Sequence, residues 1–289
     1  MTAPLLVTGG TGTLGRRVVA RLRDAGLPVR VLSRHAPEPE GAVRDPLVEH
    51  VTADLSTGEG VEAAVAGVAT IVHCAGSTTG DEEKTRTLVD AVARTGGRPH
   101  VVLISVVGAD RVPVVSRVDH AMFGYFAAKL GAERVVASSG LPWTTLRATQ
   151  FHDFVLALTE PLAKLPVVPV FRGVRFQPVA ADDVADRLVD LALGSPAGLV
   201  DDLGGPGTYR MADLVRDYLR ATGRRRLVVQ VPVPGAAGAA YRDGANLVQG
   251  PAVGPATVSR GTWEQFLADR FPPASDAAPG ARRAAARAR

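Results

Sequence analysis

Cysteine, lysine and aromatic residues are all scarce in this chain of 289 residues, which has one Cys, 5% aromatics and only Lys84, Lys129 and Lys164 as lysines. Cys74 alone cannot close an internal disulfide. Six scattered histidines, with no paired cysteines and no HExxH spacing, offer no metal site. No run approaches the roughly eighteen unbroken apolar residues of a membrane span. The first residues carry no basic stretch ahead of a long apolar one, so no signal peptide is expected and the chain reads as cytoplasmic. Charge of one sign is also lacking once its position is considered. The net charge of +4 comes from 33 basic against 29 acidic residues. Arg282, Arg283, Arg287 and Arg289 lie in the last ten residues, and without them the two counts are equal. A basic folded face for nucleic acid is therefore not expected.

What is present is an alternation of short apolar runs with amphipathic segments. Leu5 to Val7 leads into Gly9, and Leu14, Val18 and Leu22 then recur at helical spacing up to Gly26. Further strands are expected at 29–32, 50–53, 70–74 and 100–104, with helices at 60–66 and 83–95. Such near-continuous apolar strands between helices predict a parallel sheet covered on both faces. After Arg147 the pattern loosens into helices near 152–164, 181–193, 210–221 and 261–271, short strands at 174–178 and 227–231, and Pro/Gly-rich connections. The chain is thus expected to be α/β, a Rossmann-type doubly wound parallel sheet (1–150) with a smaller C-terminal substrate lobe (151–271) and a disordered Ala/Pro/Arg tail (272–289).

Two motifs carry chemistry. The first is Thr8-Gly9-Gly10-Thr11-Gly12-Thr13-Leu14-Gly15, which follows the first strand and opens a helix. Glycines at 9, 12 and 15 let the backbone turn tightly and approach a pyrophosphate, with the positive helix end aimed at it. This context, more than the glycines alone, makes Gly9, Thr11, Gly12, Thr13, Leu14 and Gly15 candidate dinucleotide contacts. About twenty residues on, where an acid would bind a ribose 2′-hydroxyl, stand Ser33 and Arg34. A guanidinium pairs with a 2′-phosphate, so NADP(H) is favoured over NAD(H).

The second motif is Tyr125-Phe126-Ala127-Ala128-Lys129, a YxxxK in a chain with four tyrosines and three lysines. On a helix this spacing brings phenol and ammonium to one face. The ammonium favours the phenolate, making Tyr125 a usable proton donor, and Lys129 is also free to hold ribose hydroxyls. His120, His152 and Asp153 are weaker candidates, better read as ordinary loop or helix residues.

Taken together, these segments resemble the short-chain dehydrogenase/reductase superfamily, in particular its atypical NmrA-like NAD(P)H-binding branch, over residues 4–271. The likeness rests on TGGTGTLG, Ala53-Asp54-Leu55, Val72-His73-Cys74-Ala75-Gly76, Ile104-Ser105-Val106-Val107-Gly108, YFAAK and Leu146 to Phe151, with further likeness at 177–185 and 262–267. It implies that Asp54 and Leu55 contact adenine, that Ala75 and Gly76 pass under the adenosine ribose, and that Ala148, Thr149 and Phe151 approach the nicotinamide. The superfamily's usual hydroxyl residue falls at Ser105, but Val106 and Val107 follow where related chains carry more hydroxyls. Ser105 therefore stands either as a catalytic residue or as a strand-end cap.

The function these readings favour is an NADPH-dependent reductase acting on an apolar small molecule such as a carbonyl or quinone. A non-enzymatic NADP(H)-sensing regulator and a sugar or polyketide epimerase or dehydratase remain alternatives, since the fold does not decide among them. Neither the substrate nor the oligomeric state is readable.

Overall fold

The computed structural model describes residues 3–34, 45–76, 80–249 and 258–272. The alternation in the first half becomes β1 (Leu5–Thr8), α1 (Gly15–Asp24), β2 (Val29–Ser33), β3 (Val48–Thr52), α2 (Val61–Val65), β4 (Thr70–His73), α3 (Asp81–Thr95), β5 (His100–Val106), α4 (Arg117–Ser138) and β6 (Trp143–Ala148). The second half adds α5 (His152–Leu162), β7 (Val167–Phe171), β8 (Arg175–Phe176), α6 (Ala181–Leu193), β9 (Gly198–Leu199), β10 (Tyr209–Arg210), α7 (Met211–Ala221), β11 (Leu227–Val231), α8 (Gly235–Arg242) and α9 (Trp263–Arg270).

Among the described residues the large sheet runs β3-β2-β1-β4-β5-β6-β9, and every pair in it is parallel. β1, β4 and β5 are buried along their whole length, which is why they read as unbroken apolar runs. The strand order reverses between β1 and β4. That switch point opens a crevice beyond their carboxyl ends, where the Gly9 turn and Ala75 follow.

The expected split at residue 150 needs correction. α6 and β9 return to the large sheet, with Val184, Ala185, Leu188 and Ala192 in one core with Val7, Val18 and Leu146. The amphipathic face of α6 completes the layer that α1 begins, so 181–199 belongs to the sheet rather than to the lobe. What remains of the lobe is α5, α7, α8, α9 and two small sheets, β7 beside β11 in parallel and β8 against β10. Its core includes Val155, Phe176, Leu214, Tyr218, Tyr241 and Trp263 and is continuous with Phe126 of α4. The expected tail lies, apart from Pro272, outside the described residues.

Three lobe elements were not expected from the sequence, β7, α8 and the two-residue β10. β7 contains Pro169, which discourages a central strand, yet it pairs on one side only. α8 spans a Gly/Ala run read as connection. It forms because Asp119, buried in the first turn of α4, accepts a hydrogen bond from the Ala237 N–H at 3.1 Å. The same carboxylate closes a capping box with Ser116 at the start of α4.

Candidate active site

At the switch point the backbone comes very close to itself. Gly9 has φ +65°, and a Cβ there would lie 2.8 Å from the Cα and N of Ala75. A Cβ on Gly15 would strike the Gly9 carbonyl. Only glycine fits either position, because one lacks steric room and the other lacks both room and an allowed L conformation. Helix α1 then starts with no side-chain cap and no acid in its first turn, and Thr11, Gly12 and Thr13 are exposed around it. An uncapped helix end beside a collapsed glycine turn suits a pyrophosphate. Arg34, the last described residue before 45, is exposed at the end of β2 and its side chain makes no hydrogen bond or ion pair among the described residues. Asp54 accepts the Ser56 N–H at 2.7 Å in a local turn, while Leu55 is buried against α2 and α3.

The other half of the site is built from side chains. Tyr125 is 37% exposed on α4, and one turn later Lys129 is buried at 3%. The Lys129 Nζ lies 5.6 Å from the Tyr125 ring centroid, 3.4 Å from the Ile104 carbonyl and 2.9 Å from Oδ2 of the buried Asp81. Burial alone would pull the Lys129 ammonium down, but the neighbouring Tyr125 and Asp81 outweigh it and hold it above the ordinary lysine value. Gly76 stands over this group, where a Cβ would lie 3.0 Å from Nζ. The chain thus offers a glycine cradle, an exposed arginine and a buried ammonium along one sheet edge, an arrangement that fits a phosphorylated dinucleotide.

Residues 9–194 match the profile of a family described as NAD(P)H-binding. The chain belongs to the NAD(P)H-binding family. An NADPH-dependent quinone oxidoreductase of Escherichia coli, solved with NADPH, superposes with a TM-score of 0.73 at 17% identity, over 92% of this chain and 99% of that one. A ceramide reductase of Caulobacter vibrioides is 28% identical over 86% of this chain and 80% of its own length. The chloroplast protein High Chlorophyll Fluorescence Phenotype 244 of Arabidopsis thaliana is 29% identical over 79% of this chain, which spans only 58% of that relative's length.

A hydrogen-bonded chain that no sequence motif marks ties the two halves of this candidate site together. The Ala75 N–H donates to Thr8 Oγ1, the Thr8 hydroxyl to His73 Nδ1 at 2.6 Å, the His73 Nε2–H to Thr85 Oγ1 at 3.1 Å, and the Thr85 hydroxyl to the Asp81 carbonyl at 2.6 Å. Because Thr85 spends its proton on Asp81, His73 must carry a proton on Nε2. Burial, aided by the Lys129 charge, pushes its pKa down to about 4. Asp81, His73 and Thr85 look in the sequence like a helix-start acid and two strand or helix residues, and no local spacing marks them.

The remaining candidates are placed as follows. Ser105 is 3% exposed and its hydroxyl has no hydrogen-bond partner among the described residues. Ala148 is buried; its carbonyl accepts the Val107 N–H. Thr149 is engaged through its hydroxyl with the Gln177 carbonyl at 2.5 Å, and Phe151 begins α5 half-buried against the sheet core. Ser33 ends β2 half-buried. His152 is buried against Phe266 and Trp263 at ring distances of 5.1 and 6.1 Å, as an ordinary core histidine would be, and His120 is exposed.

Proposed function

We propose that the protein is an NADPH-dependent reductase of an apolar hydride acceptor, with Tyr125 as proton donor and Lys129 holding the ribose. The observation that carries this reading is the half-exposed Tyr125 ring standing 5.6 Å from a buried ammonium beside a glycine cradle. NADPH, when bound, supplies the hydride. Gly9, Gly12 and Gly15 with the α1 N-terminus would hold its pyrophosphate, Arg34 its 2′-phosphate, and Lys129 a ribose hydroxyl. Ser33, Asp54, Leu55, Ala75, Gly76, Ala148, Thr149 and Phe151 would line its path. Tyr125 would pass its phenolic proton to the acceptor oxygen as that oxygen gains charge.

An apolar acceptor is supported by α4 itself. Val118, Met122 and Tyr125 fall at successive turns of one helical face and are 46%, 41% and 37% exposed. The substrates for which two similar proteins are named, a quinone and a ceramide, are of this character. The burial of the Ser105 hydroxyl leaves Tyr125 as the chief hydrogen-bond donor to the acceptor, which favours easily reduced compounds such as quinones over simple ketones.

Purified protein incubated with NADPH and a panel of quinones and carbonyls should consume the 340 nm absorbance. Tyr125→Phe should lower that rate by about 100-fold or more; an unchanged rate would remove Tyr125 from the chemistry. The buried Ser105 also favours a second reading, a regulator that senses NADP(H) without turnover. Equal affinity for NADP⁺ and NADPH with no consumption across the panel would decide for it.

A further inference from the structure

A buried ion pair lies under the proposed site, and its position is not explained by stability. Asp81 is the first residue of α3, after Gly80 at φ +79°, and its side chain is 2% exposed; that of Lys129 is 4% exposed. Pairs of this kind recover little more than the cost of taking two charges out of water, and apolar residues of the same volume often do as well. The helices bearing them are packed too closely to let the charges part, since a Cβ on Gly131 of α4 would strike the Glu82 side chain of α3.

Lys129 has three N–H donors. One meets Asp81 Oδ2 at 2.9 Å and another faces the Ile104 carbonyl at 3.4 Å. The third has no protein acceptor among the described residues, and Gly76, where a Cβ would lie 3.0 Å from Nζ, puts no side chain against it. The ionisable groups facing Lys129 are Asp81 from α3, Tyr125 from its own helix, and Cys74 and His73 from the end of β4. His73 is held neutral by Thr8 and Thr85, and burial pushes the Cys74 thiol up to about 12. Asp81 is therefore the carboxylate among the groups that other elements bring to Lys129. Its backbone is anchored through Thr85 and His73 to Thr8, the residue that enters the glycine turn.

We propose that Asp81 is the positioning residue of this site: its carboxylate keeps Lys129 charged and fixed with one N–H to spare for a ribose hydroxyl, and it sets the alkaline limit of activity. The proposal rests on the reading of Lys129 as the lysine of the site.

The scarcity of lysine makes the test direct. Protein labelled with ¹³Cε-lysine should give signals from just three residues, and Lys129→Arg identifies the one of interest. In the wild type the Lys129 signal should titrate no earlier than those of Lys84 and Lys164. In Asp81→Asn its midpoint should fall by about one pH unit or more, because burial then acts without the opposing carboxylate, with only Tyr125 of α4 and Cys74 left against it. NADPH affinity, followed by fluorescence, should weaken over the same pH range, and any turnover should lose its alkaline side there. Asp81→Glu should restore both in part. If Asp81→Asn does not fold, Lys129→Met and the double variant Asp81→Asn/Lys129→Met decide the matter. The pair predicts that the double variant is more stable than Lys129→Met, while equal or lower stability overturns it. A Lys129 midpoint identical in wild type and Asp81→Asn overturns the proposal even in an active enzyme. A shifted midpoint supports it even if no acceptor is ever reduced, so the pairing and the reductase reading fail separately.

Discussion

The two halves of the site are made from different materials. Around Gly9 and Gly15 the working surface is main chain, and its requirement is the absence of side chains. Around Tyr125, Lys129 and Asp81 it is side chains brought from α3, α4 and the ends of β4 and β5, and its requirement is a balanced set of charges in a dry place. A backbone site fails by collision, abruptly and at any pH. A charged site fails by losing a proton or a partner, gradually and in a defined pH window.

The sharpest way to break the first half is Gly15→Val. With the Gly9 carbonyl already where a Cβ would go, the turn must open, and the variant should lose more than about 3 kcal/mol of stability together with NADPH binding. Chemical denaturation and a fluorescence titration would measure both, and a stable variant with intact binding would mean that the close approach is not required. On the side-chain half, the firmest brace is Arg147 of β6, which grips Glu133 of α4 at 2.9 and 2.7 Å and also meets Asp110 at 3.0 Å. The Glu133 bond and charge, against the cost of burial, raise the Arg147 guanidinium further above its normal range. Glu133→Leu leaves that cation with only Asp110 and should cost about 3 kcal/mol, read as a lower denaturant midpoint. A loss within experimental error would mean that α4 is held by its apolar face alone.

The pH signature of the charged half comes from His73. Its folded pKa of about 4 lies below the ordinary 6.5 because it is buried beside Lys129. Above 6.5 it is neutral in both states. As the pH falls below that value the unfolded chain takes up a proton the folded one refuses, so stability should drop by about 1.4 kcal/mol per pH unit until about pH 4. His73→Asn should flatten that slope, and an equal slope in the variant would assign the loss to other groups. The smallest effect belongs to the exposed Arg34. Arg34→Ala should weaken NADPH by about tenfold with little change for NADH, as expected for one charge-assisted contact to a 2′-phosphate; parallel losses for both nucleotides would place Arg34 elsewhere on the cofactor.

The main-chain half was largely legible. Glycine spacing after an apolar run reports directly on a turn, since the property that matters is local and needs no partner. Tyr125 and Lys129 were legible for a similar reason: both lie on one helix, and one turn of α4 fixes their relation. Asp81 was not, because it is 48 positions from Lys129 and looks like any acid at a helix start. The return of α6 and β9 to the sheet was missed because an amphipathic helix does not state which apolar surface it will cover. α8 was missed because its capping carboxylate, Asp119, comes from more than a hundred residues away.

The sequence by itself determined the parallel sheet, the tight glycine turn and the shared helix face of Tyr125 and Lys129, all of which depend on spacings of a few residues and on the period of a strand or helix. Only the tertiary structure decided that the lysine is buried, that Asp81 is its counter-ion, that His73 is neutral and that the Ser105 hydroxyl is buried with no partner among the described residues. Those properties depend on which distant side chains exclude water from one another, and the chain settles that only when α3 and α4 pack together on the sheet.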